Sequence, residues 1–301
     1  MKRTILLLTF AVLALCVSAQ KRDKAVVKKE KQLVGNFVEI PAQHFTLNIL
    51  DSLGKVTHTS EYTTAGFYMM TTEVSRASYN AFLKDLRAQG RMEDYAKASI
   101  QDTALGKISQ KYKDWNAPDF GNYPVANISY EGALLFCQWL TDKVGSSEWE
   151  YTLPDKIDWQ VAAWGGNFLE KYANGSLITP LDAYRYTFFN IPADCLTKTE
   201  DGYRAVAWML APQPYNVNML QLKNGEKYLS VNPATTSVVS HDPNPYGLYN
   251  MCGNVAEMVY GESIALGGSW ADPGYDIRIQ SEKSFTGPSP MVGFRVIAVR
   301  K

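Results

Sequence analysis

A stretch rich in glycine and asparagine decides the fold: residues 244–257 read Asn-Pro-Tyr-Gly-Leu-Tyr-Asn-Met-Cys-Gly-Asn-Val-Ala-Glu. The chain stays dense in glycine, asparagine and aromatic residues from there to Lys301. A long irregular segment must satisfy its own backbone polar groups, either with buried side chains or with a bound cation. The sequence therefore predicts an ordered but irregular region at the C-terminal end of the domain.

Three short helices are predicted upstream of this region. Each begins at an N-capping residue and places apolar residues on one face; they run from about Ser75 to Gly90, from Ser129 to Lys143 and from Asp155 to Gly165. Two extended segments precede them, at 37–41 and 64–70, and the stretches 91–120 and 167–242 are predicted to be irregular. Because no repeat or change in composition marks a second domain, we predict one domain at 36–301.

Composition excludes some functions before any motif is considered. The 301 residues include 30 Lys and Arg, 30 Asp and Glu, and 46% hydrophobic residues. A balanced charge argues against a nucleic-acid partner, because such proteins need a basic face to replace counterions. The three histidines, His44, His58 and His241, are scattered, which argues against most histidine-built metal sites.

The N-terminus carries an export signal. Lys2 and Arg3 precede an apolar run from Ile5 to Leu15, and Val-Ser-Ala at 17–19 has the pattern that signal peptidase cleaves. We predict a signal peptide at 1–19. An alternative interpretation makes residues 13–16 a lipobox with Cys16 as a lipid anchor. Either interpretation sends the protein to the periplasm or the outer membrane, and no later segment is long and apolar enough to span a bilayer.

The segment that follows the signal peptide is basic. Residues 20–31 contain six Lys or Arg and two acidic residues, whereas the chain after Lys31 contains 22 basic and 28 acidic residues. A run of basic residues is typical of a solvated, flexible segment. We therefore predict a tether at 20–35. Its role is either solubility or contact with anionic lipid or a partner.

Four groups of motifs follow one another in an order that resembles a known superfamily. They are Phe-Tyr-Met-Met-Thr-Thr-Glu-Val at 67–74; Tyr-Pro-Val-Ala-Asn-Ile-Ser-Tyr-Glu-Gly-Ala at 123–133; Leu-Pro-Asp-Lys-Ile-Asp-Trp at 153–159; and residues 244–257 with Gly-Gly-Ser-Trp at 267–270 and Gly-Phe-Arg-Val at 293–296. Together they resemble the formylglycine-generating enzyme (sulfatase-modifying factor) superfamily. The resemblance covers residues 36 to 299, nearly the whole chain after the signal peptide.

This resemblance implies a single, loop-rich α+β domain related to C-type lectins. It also implies a calcium site formed by the side chains of Asn250 and Glu257 and the backbone carbonyls of Gly253 and Val255. Calcium prefers such hard oxygen ligands. The alternative is that Asn250, Asn254 and Glu257 cross-link a turn without metal.

The active site of the catalytic members is not carried over. Those members bind copper through two cysteines shortly after the Gly-Gly-Ser motif, but residues 270–280 of this chain contain no cysteine. Copper(I) prefers soft thiolates, so we predict neither copper nor catalytic residues. Of the cysteines after the signal peptide, Cys137, Cys195 and Cys252, an odd count leaves at least one unpaired; we expect Cys137 and Cys252 to be inert.

Arg295 has two interpretations. It either binds an anion or, as we predict, lies under the surface and ties loop carbonyls together with its five donors.

These features favour a non-catalytic protein of the cell envelope with other envelope proteins as partners. The end of the signal peptide resembles those of Bacteroidetes, in which non-catalytic relatives serve gliding motility and type IX secretion. Two alternatives stay open: a divergent metal-dependent oxidase or protein-modifying enzyme of the same superfamily, and a calcium-dependent lectin-like binding module.

Overall fold

The fold combines five helices with short strands in a computed structural model that describes residues 22–50, 56–101, 120–165, 196–199, 202–205, 221–223, 226–228, 235–240, 243–272 and 281–301. The described helices are α1 (Lys24–Leu33), α2 (Arg76–Ala88), α3 (Met92–Ala98), α4 (Tyr130–Val144) and α5 (Lys156–Trp164). The described strands are β1 (Phe37–Ile40), β2 (Gln43–Leu50), β3 (Val56–Thr64), β4 (Phe67–Met70), β5 (Trp149–Thr152), β6 (Leu196–Thr199), β7 (Gly202–Ala205), β8 (Gln221–Lys223), β9 (Glu226–Tyr228), β10 (Ala256–Met258), β11 (Ile264–Leu266), β12 (Glu282–Ser284), β13 (Val292–Gly293) and β14 (Ile297–Arg300).

Two four-stranded sheets form the centre of the described part. The first has the order β1-β4-β14-β5 and is antiparallel throughout; the second has the order β12-β11-β10-β13, with β10 and β13 parallel. Hairpins β2–β3, β6–β7 and β8–β9 are separate two-stranded sheets. The last strand, β14, lies between β4 and β5, so the C-terminus closes the first sheet and Arg300 pairs with Trp149.

The three predicted helices are confirmed, and their ends follow from local chemistry. The hydroxyl of Ser75 accepts a hydrogen bond from the backbone N–H of Ser78 at the start of α2. Ser129 caps α4 and Asp155 caps α5 in the same way. Both α4 and α5 end at a glycine in the left-handed conformation, which a residue without Cβ adopts at little cost.

Helix α2 and helix α4 pack on the first sheet through an aromatic core. Tyr79 stacks on Phe136 with ring centroids 5.7 Å apart, and both rings meet the edge of Phe294. The hydroxyl of Tyr79 donates to the backbone carbonyl of Ala98 at 2.8 Å, which satisfies the one polar atom of this ring. Helix α3 therefore contacts the core through Ala98. This helix lies within the stretch 91–120, so the prediction that the whole stretch is irregular is wrong for residues 92–98.

The basic segment differs from the flexible tether that was predicted at 20–35. Residues 24–33 form helix α1, and Val26, Glu30 and Leu33 lie on the face that packs against the domain. Glu30 is 1% exposed; it pairs with Arg22 and accepts a hydrogen bond from the hydroxyl of Tyr151 at 2.6 Å. Counting charges did not reveal that α1 is amphipathic. All four lysines of the helix are exposed, and only the spacing of Val26, Glu30 and Leu33 marks its buried face.

The start of α1 lies close to the C-terminus of the chain. The guanidinium of Arg22 lies 3.9 Å from the ring centroid of Tyr68, and Tyr68 meets the edge of Trp149. The ammonium group of Lys29 donates to the carbonyl of Val144 at 2.9 Å, and the backbone N–H of Lys301 donates to the carbonyl of Glu148 in the same connection between α4 and β5.

Among the described residues, no helix has the length and apolar character that crossing a membrane requires. The predicted signal peptide at 1–19 and Cys16 lie outside the described residues.

Replacing Glu30 tests whether α1 belongs to the folded domain. Glu30→Ala leaves the guanidinium of Arg22 and the hydroxyl of Tyr151 buried without their shared partner. Breaking such a buried pair costs about 3–5 kcal/mol of unfolding free energy. Urea denaturation measures the loss, and Lys28→Ala on the exposed side of the same helix is the control, with an expected change of about 0.5 kcal/mol or less. Equal stability of the two variants would support a flexible tether instead.

Candidate functional site: a buried charge network behind residues 244–257

Residues 244–257 form a loop that hydrogen bonds hold against α5 and against the turn at 267–268. The amide group of Asn244 donates to the carbonyl of Ala162 at 2.9 Å, and its oxygen accepts from the backbone N–H groups of Tyr246 and Leu248. The backbone N–H of Gly253 donates to Gly267 at 2.8 Å. A Cβ atom on Gly267 would lie 2.6 Å from the carbonyl oxygen of Met251, and its φ of +82° also disfavours other residues.

Two asparagines of this loop point at the carboxyl group of Glu73, which follows β4. Asn254 donates to Glu73 Oε1 at 2.7 Å, and Asn250 donates to Glu73 Oε2 at 3.2 Å. Both asparagines have positive φ, 50° for Asn250 and 61° for Asn254, a conformation that asparagine tolerates better than most residues. The backbone N–H of Thr236 donates to the amide oxygen of Asn254 at 2.8 Å, which fixes the orientation of that amide.

The second carboxyl group of the network, Glu257 in β10, is held by Arg295. The guanidinium donates to Glu257 Oε1 at 2.7 Å through Nη2, and its Nε lies 3.0 Å from Oε2. The indole N–H of Trp159 donates to Oε2 at 2.7 Å. Arg295 also donates to the backbone carbonyls of Met70 and Tyr249. The prediction that Arg295 lies under the surface and ties loop carbonyls together is therefore confirmed.

The network contains two carboxyl groups and one guanidinium, all at most 1% exposed. Full ionisation would leave one uncompensated negative charge in the interior, which is costly. Burial raises the pKa of Glu73 to about 8, against the lowering effect of Arg295 and with a further increase from the charge of Glu257. Glu73 therefore keeps its proton at neutral pH, while Glu257 pairs with Arg295. All three charged side chains of the network are closed to solvent.

The predicted calcium ligands lie within this network. A carboxylate offers about four acceptor positions, and those of Glu257 receive the donors of Arg295 and Trp159. A divalent cation at this carboxylate would also face the guanidinium of Arg295. The arrangement fits the alternative that Asn250, Asn254 and Glu257 cross-link the loop without metal. Calcium at Asn250, Gly253, Val255 and Glu257 stays a prediction.

Of the stretch in which catalytic relatives are expected to carry their copper ligands, 270–280, the structure describes residues 270–272, and Asp272 there pairs with Lys283. Asp272 accepts hydrogen bonds from the backbone N–H of Ser269 at 2.8 Å and from the ammonium group of Lys283 at 2.7 Å. Residues 273–280 lie outside the described part. Asp272 is a hard oxygen ligand that a lysine already engages, so it does not replace a thiolate.

The two described cysteines are buried and free. Cys137 lies in the core cluster of α2 and α4, whereas Cys252 lies in a second cluster around Trp159. Burial raises the pKa of both thiols, so both stay protonated at neutral pH. These observations agree with the prediction that Cys137 and Cys252 are inert. Cys195 lies outside the described residues.

Sequence reasoning missed Glu73, Asp272 and Lys283 as parts of these two groups. Glu73 stands in a quoted motif, three residues after the end of β4 and directly before buried Val74. An acidic residue within the otherwise uncharged motif at 67–74 is the one signal that could have indicated a buried carboxyl group.

The pH dependence of stability tests the proton on Glu73. Between its ordinary pKa of 4.5 and the folded-state pKa of about 8, the folded chain holds a proton that the unfolded chain has released. The free energy of unfolding therefore falls as pH rises through this window. Glu73→Gln keeps the shape of the side chain but cannot ionise, so we expect a smaller fall in urea denaturation. Glu262→Gln, at an exposed position, should follow the wild type; a Glu73→Gln curve parallel to wild type contradicts the assignment.

Thermal unfolding tests the calcium prediction. If Asn250, Asn254 and Glu257 cross-link the loop without metal, the Tm in EDTA should equal the Tm in millimolar calcium, because Arg295 already engages Glu257. A Tm that rises with calcium in the wild type, and does not rise in Asn250→Ala, would instead show that calcium binds at the predicted ligands.

Comparisons with known proteins agree on one family. Residues 23–300 match the model of the sulfatase-modifying factor enzyme 1-like domain. The formylglycine-generating enzyme of Thermomonospora curvata is 26% identical over 151 residues, which cover 48% of this chain and 37% of that enzyme. The serine/threonine-protein kinase pkn1 of Chlamydia pneumoniae is 26% identical over 183 residues, which cover 60% of this chain and 19% of the kinase. The chain thus spans well under two thirds of the length of these curated relatives.

A solved structure supports the fold. PvdO from Pseudomonas aeruginosa superimposes with a TM-score of 0.56 at 19% identity, covering 88% of this chain and 94% of PvdO. The α+β fold of formylglycine-generating-enzyme type is thereby confirmed. Since the family model covers nearly every residue from the start of α1 to β14, the chain belongs to the sulfatase-modifying factor (formylglycine-generating enzyme-like) domain family.

Proposed function

We propose that this protein is an exported, non-catalytic member of its family that serves as a structural or interaction component of the cell envelope. One observation carries the proposal: residues 270–280 contain no cysteine, and Asp272 in that stretch is bound by Lys283 and Ser269. Copper(I) chemistry needs thiolates at that place. The export signal at 1–19 supports the location.

The buried charge network and the described cysteines also support a scaffold rather than a reaction centre. Glu73, Glu257 and Arg295 join three segments and are closed to solvent. The thiols of Cys137 and Cys252 are buried, and burial raises the pKa of both, which supports an inert role for them. A role in gliding motility or type IX secretion belongs to the same proposal and rests on the resemblance of the signal peptide and of the motifs.

A second candidate is a divergent protein-modifying enzyme, which the name of the Thermomonospora curvata relative favours. An oxygen electrode separates the two candidates. We expect the purified chain to cause no oxygen consumption above that of the same copper(I) and cysteine-containing peptide without protein, since residues 270–280 contain no thiolate pair to hold the metal. The Thermomonospora curvata enzyme under the same conditions is the positive control. Copper-dependent oxygen uptake by this chain would contradict the non-catalytic assignment.

Cross-linking in the envelope of the natural host tests the scaffold role itself. We expect a stoichiometric partner that enriches with the protein in the periplasmic or outer-membrane fraction. Recovery of the protein as a lone monomer with bound copper or iron would overturn the proposal in favour of the enzyme.

A further inference from the structure

The solvent side of helix α1 is a basic surface on a protein that is otherwise acidic. Lys24, Val27, Lys28 and Lys31 lie at positions i, i+3, i+4 and i+7, so they share one face of the helix. All four are exposed. Among the described residues, no ion pair neutralises the three lysines, whereas the chain after Lys31 has an excess of acidic residues.

This surface, here called the lysine face and defined as Lys24, Val27, Lys28 and Lys31, is rigid relative to the domain. The buried Arg22–Glu30 pair, the hydroxyl of Tyr151 and the bond from Lys29 to Val144 hold α1 in place. The acidic group at the start of the helix, Asp23, caps it by accepting from the N–H of Ala25. Glu30 is used by Arg22, so the exposed part of the helix carries a net positive charge.

The composition of the lysine face fits a lipid surface better than a protein. Three ammonium groups surround one exposed apolar side chain, Val27, which is 41% exposed. Exposed lysines are attracted to the negative surface of an anionic bilayer, and Val27 adds a small apolar contact. A stable protein interface needs about 800 Å² on each partner, which one side of a ten-residue helix does not supply.

The position of the face in the chain also points to a membrane. The apolar run of the export signal ends at Leu15, seven residues before Arg22 is fixed to the domain. Seven extended residues reach about 25 Å at most. If Cys16 carries a lipid anchor, as in the alternative interpretation, the bilayer that holds this lipid therefore lies within reach of α1.

We propose that the lysine face binds the surface of an anionic phospholipid bilayer and sets the orientation of the domain on the membrane. The inference rests on the proposed export to the envelope for its setting, but its physical basis is the exposed charge on α1. Each lysine close to an anionic surface strengthens binding by a factor of about five.

Co-sedimentation with vesicles tests the proposal on the chain that begins at Gln20, which has neither the signal peptide nor Cys16. We expect it to bind vesicles of phosphatidylcholine mixed with phosphatidylglycerol, to release them at high salt, and not to bind phosphatidylcholine alone. Lys24→Gln with Lys28→Gln and Lys31→Gln should weaken binding by about a hundredfold. The matched control replaces three exposed basic residues elsewhere, Lys84, Arg87 and Lys97, with glutamine and should bind like the wild type.

Three results would overturn the inference. They are no binding to the anionic vesicles, equal loss in both triple variants, and binding that survives replacement of the three lysines. An acidic protein that binds the chain through Lys24, Lys28 and Lys31 while the vesicles do not would assign the face to that partner instead. Vesicle binding and oxygen consumption are measured independently. Failure of the lysine face to bind lipid therefore leaves the proposed non-catalytic function standing, and oxygen consumption leaves the lipid proposal standing.

Discussion

The contact between Arg295 and Glu257 is the interaction on which the described structure depends. One guanidinium reaches the end of β4 through the carbonyl of Met70, the irregular loop through the carbonyl of Tyr249, and the second sheet through Glu257. These points are separated by 225, 46 and 38 residues in sequence from Arg295. A lysine could not make this set of contacts, because its donors radiate from a single nitrogen. The two sheets and the loop are therefore positioned by one planar cation.

The energetic balance of this centre explains why a second carboxyl group can be buried beside it. Glu73 receives amide donors from Asn250 and Asn254, so its oxygens are not left without partners. Burial raises the pKa of Glu73, which favours the neutral, protonated carboxyl group, so no second cation is needed beside it. The positive φ of both asparagines is the cost of aiming two amides at one carboxyl group, and it accounts for asparagine at these positions of the loop.

The sequence predicted the local structure well and the long-range pairing poorly. Serine and aspartate caps and terminal glycines predicted α2, α4 and α5, because those signals act within a few residues. Helix α1 was mistaken for a tether, since lysines outnumber the residues of its buried face and the partner of Glu30, Tyr151, lies 121 residues away. Arg295 was assigned to the interior correctly, but its contact with Glu257 was not predicted, and calcium at Glu257 stays a prediction. Nothing in the local sequence of Glu257 shows whether a cation or a guanidinium faces it.

The connection between α4 and β5 brings the two ends of the domain together. Arg22 contacts Tyr68, Tyr68 contacts Trp149, and Trp149 pairs with Arg300, so both ends leave from the same side. A domain with adjacent ends can be spliced into a surface loop of a larger protein without stretching the host chain. In the kinase of Chlamydia pneumoniae, the region that matches this chain makes up 19% of the protein. The adjacent ends would also make the domain a convenient insert for engineered fusions.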